Sequence, residues 1–180
     1  MAVTKKIKSH WIGESYKRIN TPQFLINQKI LNKVDFTSVS SVLDIGCGSG
    51  ETTNFFFVLS PNITVLGVDV SESMVASAVK SNKNNLLSFK VLDAQEINFQ
   101  QQFDLVTSFF CLQWVPDKQL AFNNIFSALL PGGSFHMVTP LPHDILPIIR
   151  SNLINSERWR SQFTDYIDPL SYIHDIQYEA

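Results

Sequence analysis

Short apolar runs alternate with amphipathic segments along most of this chain, and the alternation predicts buried strands separated by helices. The apolar runs are rich in β-branched residues and end at glycine, aspartate or polar residues, as strands of a parallel sheet often do. We predict strands at 41–46, 63–69, 86–92, 103–109 and 134–139. We predict helices at 11–33, 51–59, 72–82 and 117–130, and a helical segment beyond Pro142.

Capping and breaking residues set the ends of two of these helices. Ser71 precedes the helix at 72–82, and Glu72 lies in its first turn, where the helix dipole favours a negative charge. Pro131-Gly132-Gly133 is expected to stop the helix that begins at Asp117, before the fifth strand starts.

This order of elements specifies an α/β fold with a doubly wound, mostly parallel sheet and helices on both faces. Ligands of such sheets bind beyond the carboxyl ends of the strands, near the point where the strand order reverses. We therefore expect the residues that carry chemistry in the turns that follow the strands. We divide the chain into an N-terminal helical lid at 1–36, an α/β core at 37–142 and a helical C-terminal segment at 143–180.

The turn after the first strand carries the most specific motif, Asp44-Ile45-Gly46-Cys47-Gly48-Ser49-Gly50. Alternating glycines let the backbone approach a ligand without intervening side chains, and the next helix begins with unsatisfied N–H groups. A turn that merely connects strand and helix is the alternative. A dinucleotide fingerprint requires a third glycine where this chain has Glu51, whose charge would repel a pyrophosphate. S-adenosylmethionine carries a sulfonium, an ammonium and a carboxylate but no phosphate, so it tolerates this glutamate.

Aspartates follow the second and third strands. Asp69 is placed to accept hydrogen bonds from both ribose hydroxyls of an adenosine. Its alternative role is to cap the next helix, which Ser71 could do instead. Asp93 could accept a hydrogen bond from the adenine amino group, or it could be an ordinary turn aspartate.

The turn after the fourth strand carries Gln113 and Trp114 over the carboxyl edge of the sheet. The tryptophan could form an apolar wall beside a methyl donor, or a cation–π contact with its sulfonium. Core packing of a short helix explains the tryptophan equally well.

Together these stretches resemble the class I methyltransferases that use S-adenosylmethionine, over residues 40 to 140. The segments 112–117 (LQWVPD) and 129–135 (LLPGGSF) are similar to one branch of them. That branch contains trans-aconitate methyltransferase, the malonyl carrier protein methyltransferase of biotin synthesis and juvenile hormone acid methyltransferase. The segment 11–23, with its Trp11…Tyr16…Asn20…Gln23 pattern, is similar to the part of the branch that folds over the cofactor.

The resemblance implies a Rossmann-like methyltransferase fold and S-adenosylmethionine as the cofactor, with S-adenosylhomocysteine as its product and no metal. By the same resemblance, Gln23, Gln113 and Trp114 would act in catalysis. The cofactor contacts that it implies are Tyr16, Asp44, Gly46, Cys47, Gly48, Gly50, Asp69, Val70, Met74, Asp93, Ala94, Gln95, Ser108 and Phe109.

The branch methylates carboxylates, so the implied reaction is O-methylation of a small or apolar carboxylic acid by in-line displacement. A carboxylate is ionised at neutral pH, so the reaction requires no general base. Three alternatives stay open: methylation of another small-molecule acceptor on carbon, nitrogen or a phenol; cofactor binding without catalysis; and an NAD-binding oxidoreductase, which Glu51 disfavours.

The composition of the chain limits which partners and compartments are expected. The net charge of −2 over 180 residues gives no reason to expect nucleic acid as a partner. The apolar runs are far shorter than the ~20 residues of a membrane span. Two cysteines without a C-x-x-C spacing argue against a metal site and favour a reducing, cytoplasmic compartment.

The sequence departs from the family pattern after the fifth strand. Class I methyltransferases normally add two more strands, and the pattern of 143–180 predicts none. The fifth strand would then be an open sheet edge, which promotes aggregation. We therefore expect either a truncated chain or an edge that is covered by a second chain, for example in a dimer, or by residues 157–180.

Overall fold

The structure, a computed structural model, describes residues 21–139 and 145–163. The helices in these ranges are α1 (Thr21–Leu31), α2 (Glu51–Leu59), α3 (Glu72–Ser81), α4 (Lys118–Ala128) and α5 (Ile145–Asn155). The strands are β1 (Ser41–Ile45), β2 (Thr64–Asp69), β3 (Leu87–Val91), β4 (Phe103–Phe109) and β5 (Leu129–Val138). Short 3-10 helices lie at Ala94–Glu96, Leu112–Trp114 and Arg160–Phe163.

The strands form one sheet in the order β3-β2-β1-β4-β5, and every pairing is parallel. The strand order reverses between β1 and β4, which is where sheets of this type bind ligands. The prediction of a doubly wound α/β fold is confirmed.

Helices cover both faces of the sheet because side chains alternate along the strands. On β1, Val42 belongs to a buried cluster with Leu31 of α1 and Phe56 of α2. Its neighbour Leu43 belongs to a second cluster, on the opposite face, with Ile125 of α4. Two distinct apolar layers therefore hold the strands between α1 and α2 on one side and α4 on the other.

Side-chain caps start two of the helices. The Ser71 hydroxyl accepts a hydrogen bond from the Met74 N–H at 3.4 Å, so Ser71 is the N-cap of α3. An Asp117 carboxylate oxygen accepts one from the Leu120 N–H at 2.9 Å at the start of α4. Helix α2 has no side-chain cap, because its N-cap residue is Gly50.

The fifth strand corrects one sequence-based expectation. The prediction that Pro131-Gly132-Gly133 stops a helix reaching 130 and precedes a strand at 134–139 is wrong, because α4 ends at Ala128 and β5 runs through the motif. Leu129 already pairs with Phe103, and the register shifts before the next pair. A Cβ at Gly133 would lie 3.0 Å from the Asp104 carbonyl oxygen, so glycine lets β5 approach β4 closely there.

The outer edge of β5 has no strand beside it among the residues that the structure describes. Helix α5 leaves Ile149 and Leu153 exposed. The expectation that a second chain or residues 157–180 cover this edge stays a prediction, as do the three segments proposed for the chain. Of the helix predicted at 11–33, residues 21–31 are helical and 11–20 lie outside the described ranges.

We predict that Phe56→Ala lowers the free energy of unfolding by about 3–5 kcal/mol, the usual cost of removing a buried phenylalanine ring. Phe56 is fully buried, and its ring packs edge-on against Phe36 at 6.1 Å between centroids. Phe126→Ala is the matched control, because that side chain is 81% exposed, and its effect should stay within about 0.5 kcal/mol. Urea denaturation followed by circular dichroism measures both, and equal losses would contradict the assignment of the core.

Candidate functional site

The turn between β1 and α2 is built by glycines in the left-handed region. Gly46, Gly48 and Gly50 have φ angles of 76°, 55° and 88°. The side chain of Cys111 lies directly against Gly46, where a Cβ would collide with it. A Cβ at Gly50 would lie 2.9 Å from the ring of Phe89. Both the backbone conformation and the space therefore require glycine at these two positions, and the backbone of the turn is left bare.

Asp69 connects the glycine turn to the end of β2. One of its carboxylate oxygens accepts a hydrogen bond from the Gly48 N–H at 3.0 Å, and the other accepts one from the Ser71 N–H at 2.8 Å. Burial raises the pKa of this carboxyl group, while these backbone donors lower it. A carboxylate offers about four acceptor positions, so Asp69 keeps acceptor capacity for a hydroxyl group of a ligand. Because Ser71 caps α3, Asp69 is not needed as the cap.

Asp44 lies beneath the turn rather than at its surface. Its side chain is buried, and its two oxygens accept hydrogen bonds from the hydroxyls of Thr53 at 2.7 Å and Thr107 at 2.9 Å. Burial raises the pKa of Asp44 to about 6, although the two hydroxyls lower it. Asp44 therefore joins β1 to α2 and β4, and its contact with a cofactor stays a prediction.

Asp93 and Gln95 organise the turn after β3. An Asp93 oxygen accepts a hydrogen bond from the Gln95 N–H at 2.9 Å, which starts the short helix Ala94–Glu96. The side-chain oxygen of Gln95 accepts a hydrogen bond from the Asp117 N–H at 3.1 Å. The backbone carbonyl of Gln95 accepts another from the Asn124 side chain at 2.9 Å. This turn is thus fixed to α4. The part-exposed Asp93 has a local structural role, and its contact with adenine stays a prediction.

The turn after β4 brings a buried amide to the same edge of the sheet. Gln113 is 4% exposed, and its Oε1 has no hydrogen-bond partner within the described ranges. Trp114 beside it is 37% exposed. Phe110 adopts a left-handed backbone with φ of 53°, which reverses the chain sharply at the end of β4.

The other predicted contacts divide by exposure. Those buried are Cys47, Met74, Ala94, Ser108 and Phe109, and the exposed one is Val70. Phe109 belongs to the apolar cluster on the α1 and α2 face, so its ring serves the core. Gln23 lies in the first turn of α1 and is half-buried. Tyr16 lies outside the described residues.

Cys47 lies within the glycine turn and Cys111 packs against it, and both are neutral thiols. Burial raises the pKa of Cys47 well above its ordinary value and that of Cys111 to about 12. Within the described ranges no group of acidic, cysteine and histidine side chains could hold a metal ion. No described helix has the length and apolar character to cross a membrane.

Sequence reasoning missed Thr53, Thr107 and Phe110. The threonines lie in a helix and a strand with nothing in their spacing to mark them, and only the fold brings their hydroxyls to Asp44. The left-handed Phe110 gave no signal either, because glycine and asparagine are the usual residues at such positions.

Comparison with known proteins agrees with this geometry. The family model described as a methyltransferase domain matches residues 42–133, which include the glycine turn, Asp69 and the turn after β4. A protein of Invertebrate iridescent virus 6 with a provisional methyltransferase name is 32% identical over 95% of this chain and 64% of its own length.

Two further relatives carry the names of specific methyltransferases. Juvenile hormone acid O-methyltransferase of Bombyx mori is 32% identical over 80% of this chain and 54% of its own length. Trans-aconitate 2-methyltransferase of Deinococcus radiodurans is 38% identical over 58% of this chain and 40% of its own length. The chain thus spans about half the length of the curated relatives that it matches.

A solved structure supports the same fold. Phosphoethanolamine N-methyltransferase 2 of Haemonchus contortus, in complex with S-adenosyl-L-methionine, has a TM-score of 0.62 and 27% identity to this chain. The match covers 86% of this chain and 35% of that enzyme. Family model, relatives and fold agree, and this chain belongs to the class I S-adenosylmethionine-dependent methyltransferases, in the branch of the trans-aconitate and juvenile hormone acid enzymes.

Proposed function

We propose that the protein transfers a methyl group from S-adenosylmethionine to the carboxylate of a small or apolar acid. The observation that carries the cofactor assignment is Asp69, which the Gly48 N–H orients at 3.0 Å while acceptor capacity is left for a ribose hydroxyl.

The residues at the turn fit this cofactor better than a dinucleotide. Ser49 donates its hydroxyl to both carboxylate oxygens of Glu51, at 2.8 and 3.0 Å, and this holds a negative charge at the start of α2. A pyrophosphate would be repelled there, whereas S-adenosylmethionine has no phosphate. The bare backbone of Gly46, Gly48 and Gly50 would hold its amino acid part, and Asp69 its ribose.

When bound, S-adenosylmethionine supplies a methyl group that is already activated by its sulfonium. The protein then has to bind and orient the acceptor, and orientation of this kind contributes about 7–11 kcal/mol to catalysis. A carboxylate acceptor is already ionised at neutral pH, so no side chain has to remove a proton.

Gln113 is our candidate for holding the acceptor. The unpartnered atom of Gln113 is its carbonyl oxygen, which accepts hydrogen bonds, and leaving such a buried atom unpaired costs about 1–3 kcal/mol. A carboxylate acceptor would instead pair with the NH₂ group of the same amide, after a half-turn of the amide exchanges its oxygen and nitrogen. An amide offers both a donor and an acceptor, and its NH₂ group could donate to a carboxylate. Trp114 exposes part of its ring next to it and could supply an apolar wall.

The names of the relatives suggest two classes of methyl acceptor. The enzymes of Bombyx mori and Deinococcus radiodurans are named for acids. The Haemonchus contortus enzyme is named for phosphoethanolamine, whose acceptor is a nitrogen, so N-methylation is the second candidate. We favour the carboxylate because no described group at the site is an obvious base for deprotonating an ammonium.

We predict that Asp69→Asn weakens binding of S-adenosylhomocysteine about ten- to a hundredfold, because charge-assisted hydrogen bonds contribute about 1.5–3 kcal/mol. Isothermal titration calorimetry measures the change. Asp35→Asn is the control, since Asp35 lies before β1, at the amino ends of the strands and away from the site. Its carboxylate accepts a hydrogen bond from the Thr37 N–H. Unchanged affinity in Asp69→Asn, or tighter binding of NAD than of S-adenosylhomocysteine by the unaltered protein, would overturn the cofactor assignment.

We also expect methyl-labelled donor and a library of acids, amines and phenols to yield a base-labile methyl ester with an apolar or small acid. Gln113→Ala should lower kcat/KM for that acid about tenfold, as loss of one hydrogen bond to a charged group does. Gln119→Ala, an exposed glutamine in α4, should leave it unchanged. A product methylated on nitrogen, carbon or a phenol contradicts the carboxylate proposal, and binding without turnover of any acceptor indicates a non-catalytic module.

A further inference from the structure

One row of residues crosses the sheet under the glycine turn. Asp44 of β1 is in register with Gly67 of β2 and with Thr107 of β4, and Thr107 is in register with His136 of β5. Register partners in a parallel sheet point to the same face. On that face Thr53 of α2 reaches Asp44 as well.

Both oxygens of Asp44 are held by threonine hydroxyls. Thr53 donates to one oxygen at 2.7 Å and Thr107 to the other at 2.9 Å. Neither Asp44 nor the two threonines has appreciable contact with water, since each is at most 2% exposed. The charge on Asp44 therefore depends on these two donors, as a buried carboxylate is stabilised only by its hydrogen bonds.

We propose that Thr53 and Thr107 are positioning residues that hold a negative charge on Asp44, and that this charge raises the affinity of the site for the sulfonium donor relative to its neutral thioether product. The proposal rests on the proposed function. The two ligands share adenosine, amino and carboxylate groups and differ by the methyl group and the positive charge that it brings. Asp44 lies in β1 just before the glycine turn that would hold the amino acid part of either ligand, so its negative charge would attract the sulfonium and would have no such effect on the thioether.

The preference should depend on pH in one direction. Burial raises the pKa of Asp44 to about 6, so Asp44 is neutral below that pH and ionised above it. The donor, being the cation, then gains affinity relative to the product as pH rises through 6. By linkage, a cation that lowers the pKa of Asp44 by one unit binds about tenfold more tightly to the ionised form.

Other charged or titratable groups face the same region and need controls. Asp69 at the end of β2 carries a carboxylate whose negative charge raises the pKa of Asp44 further. His136 of β5 lies in the same row and is a second ionisable side chain there. Glu51 begins α2. The thiols of Cys47 and Cys111 stay neutral because burial raises the pKa of each.

The test is calorimetric titration of the full chain with S-adenosylmethionine and S-adenosylhomocysteine from pH 5 to pH 7, below the range in which α-amino groups titrate. We expect the ratio of donor affinity to product affinity to rise on the order of tenfold over this range. Thr53→Val and Thr107→Val should each move the rise to higher pH, because each removes a donor to Asp44. Thr53→Ser keeps the hydroxyl and should restore the original profile, and His136→Gln should not move it.

The outcomes separate this proposal from the function on which it rests. A protein that binds neither ligand at any pH contradicts the proposed function. Binding of both ligands with a constant ratio overturns the role of Asp44 and leaves the function standing. If the affinity ratio rises at the same pH in both valine variants as in the unaltered protein, the effect belongs to Asp69, and the proposed role of Asp44 is overturned. If one valine variant fails to fold, as judged by circular dichroism, the other still separates Asp44 from Asp69, because each threonine is an independent donor to Asp44.

Discussion

The hydrogen bond from the Gly48 N–H to Asp69 is the interaction on which the site depends. It joins the loop that follows β1 to the residue that ends β2, and Gly48 donates it from a left-handed backbone conformation. The same bond fixes the direction of the carboxylate, so a ligand meets an acceptor that is already oriented. Pre-organisation of this kind removes part of the entropic cost of binding.

A second, buried layer of hydrogen bonds supports the first. Asp44 ties β1 to α2 and β4 through Thr53 and Thr107, and Asn27 of α1 donates to Thr52 at 3.0 Å in the first turn of α2. The start of α2 is therefore held from the sheet and from α1. These bonds engage threonine hydroxyls and leave the N–H groups of the first turn of α2 without a side-chain cap.

The sequence predicted what local chemistry controls. Alternating glycines after an apolar run located the turn, β-branched runs located the strands, and Ser71 was identified as a possible cap that the structure confirms. The hydroxyls around Asp44 could not be predicted, because Thr107 lies 63 residues away in the chain and only strand pairing brings it close. The path of β5 through Pro131-Gly132-Gly133 was missed because a local breaker signal is overridden there by pairing with β4. The contacts proposed for the cofactor and acceptor stay predictions, since they depend on groups that are not part of the chain.

The contact of Cys111 with Gly46 limits which residues relatives of this protein can have at these two positions. The two residues come from different turns, yet they share one small volume, because the space that a Cβ would need at 46 is taken by the cysteine side chain. Substitutions at positions 46 and 111 should therefore be coupled. Position 111 can accept alanine or serine as long as position 46 is glycine, whereas a larger side chain at position 111 would displace the glycine turn. An alignment of relatives should show position 111 restricted to small side chains for a reason of shape, with no demand for sulfur chemistry.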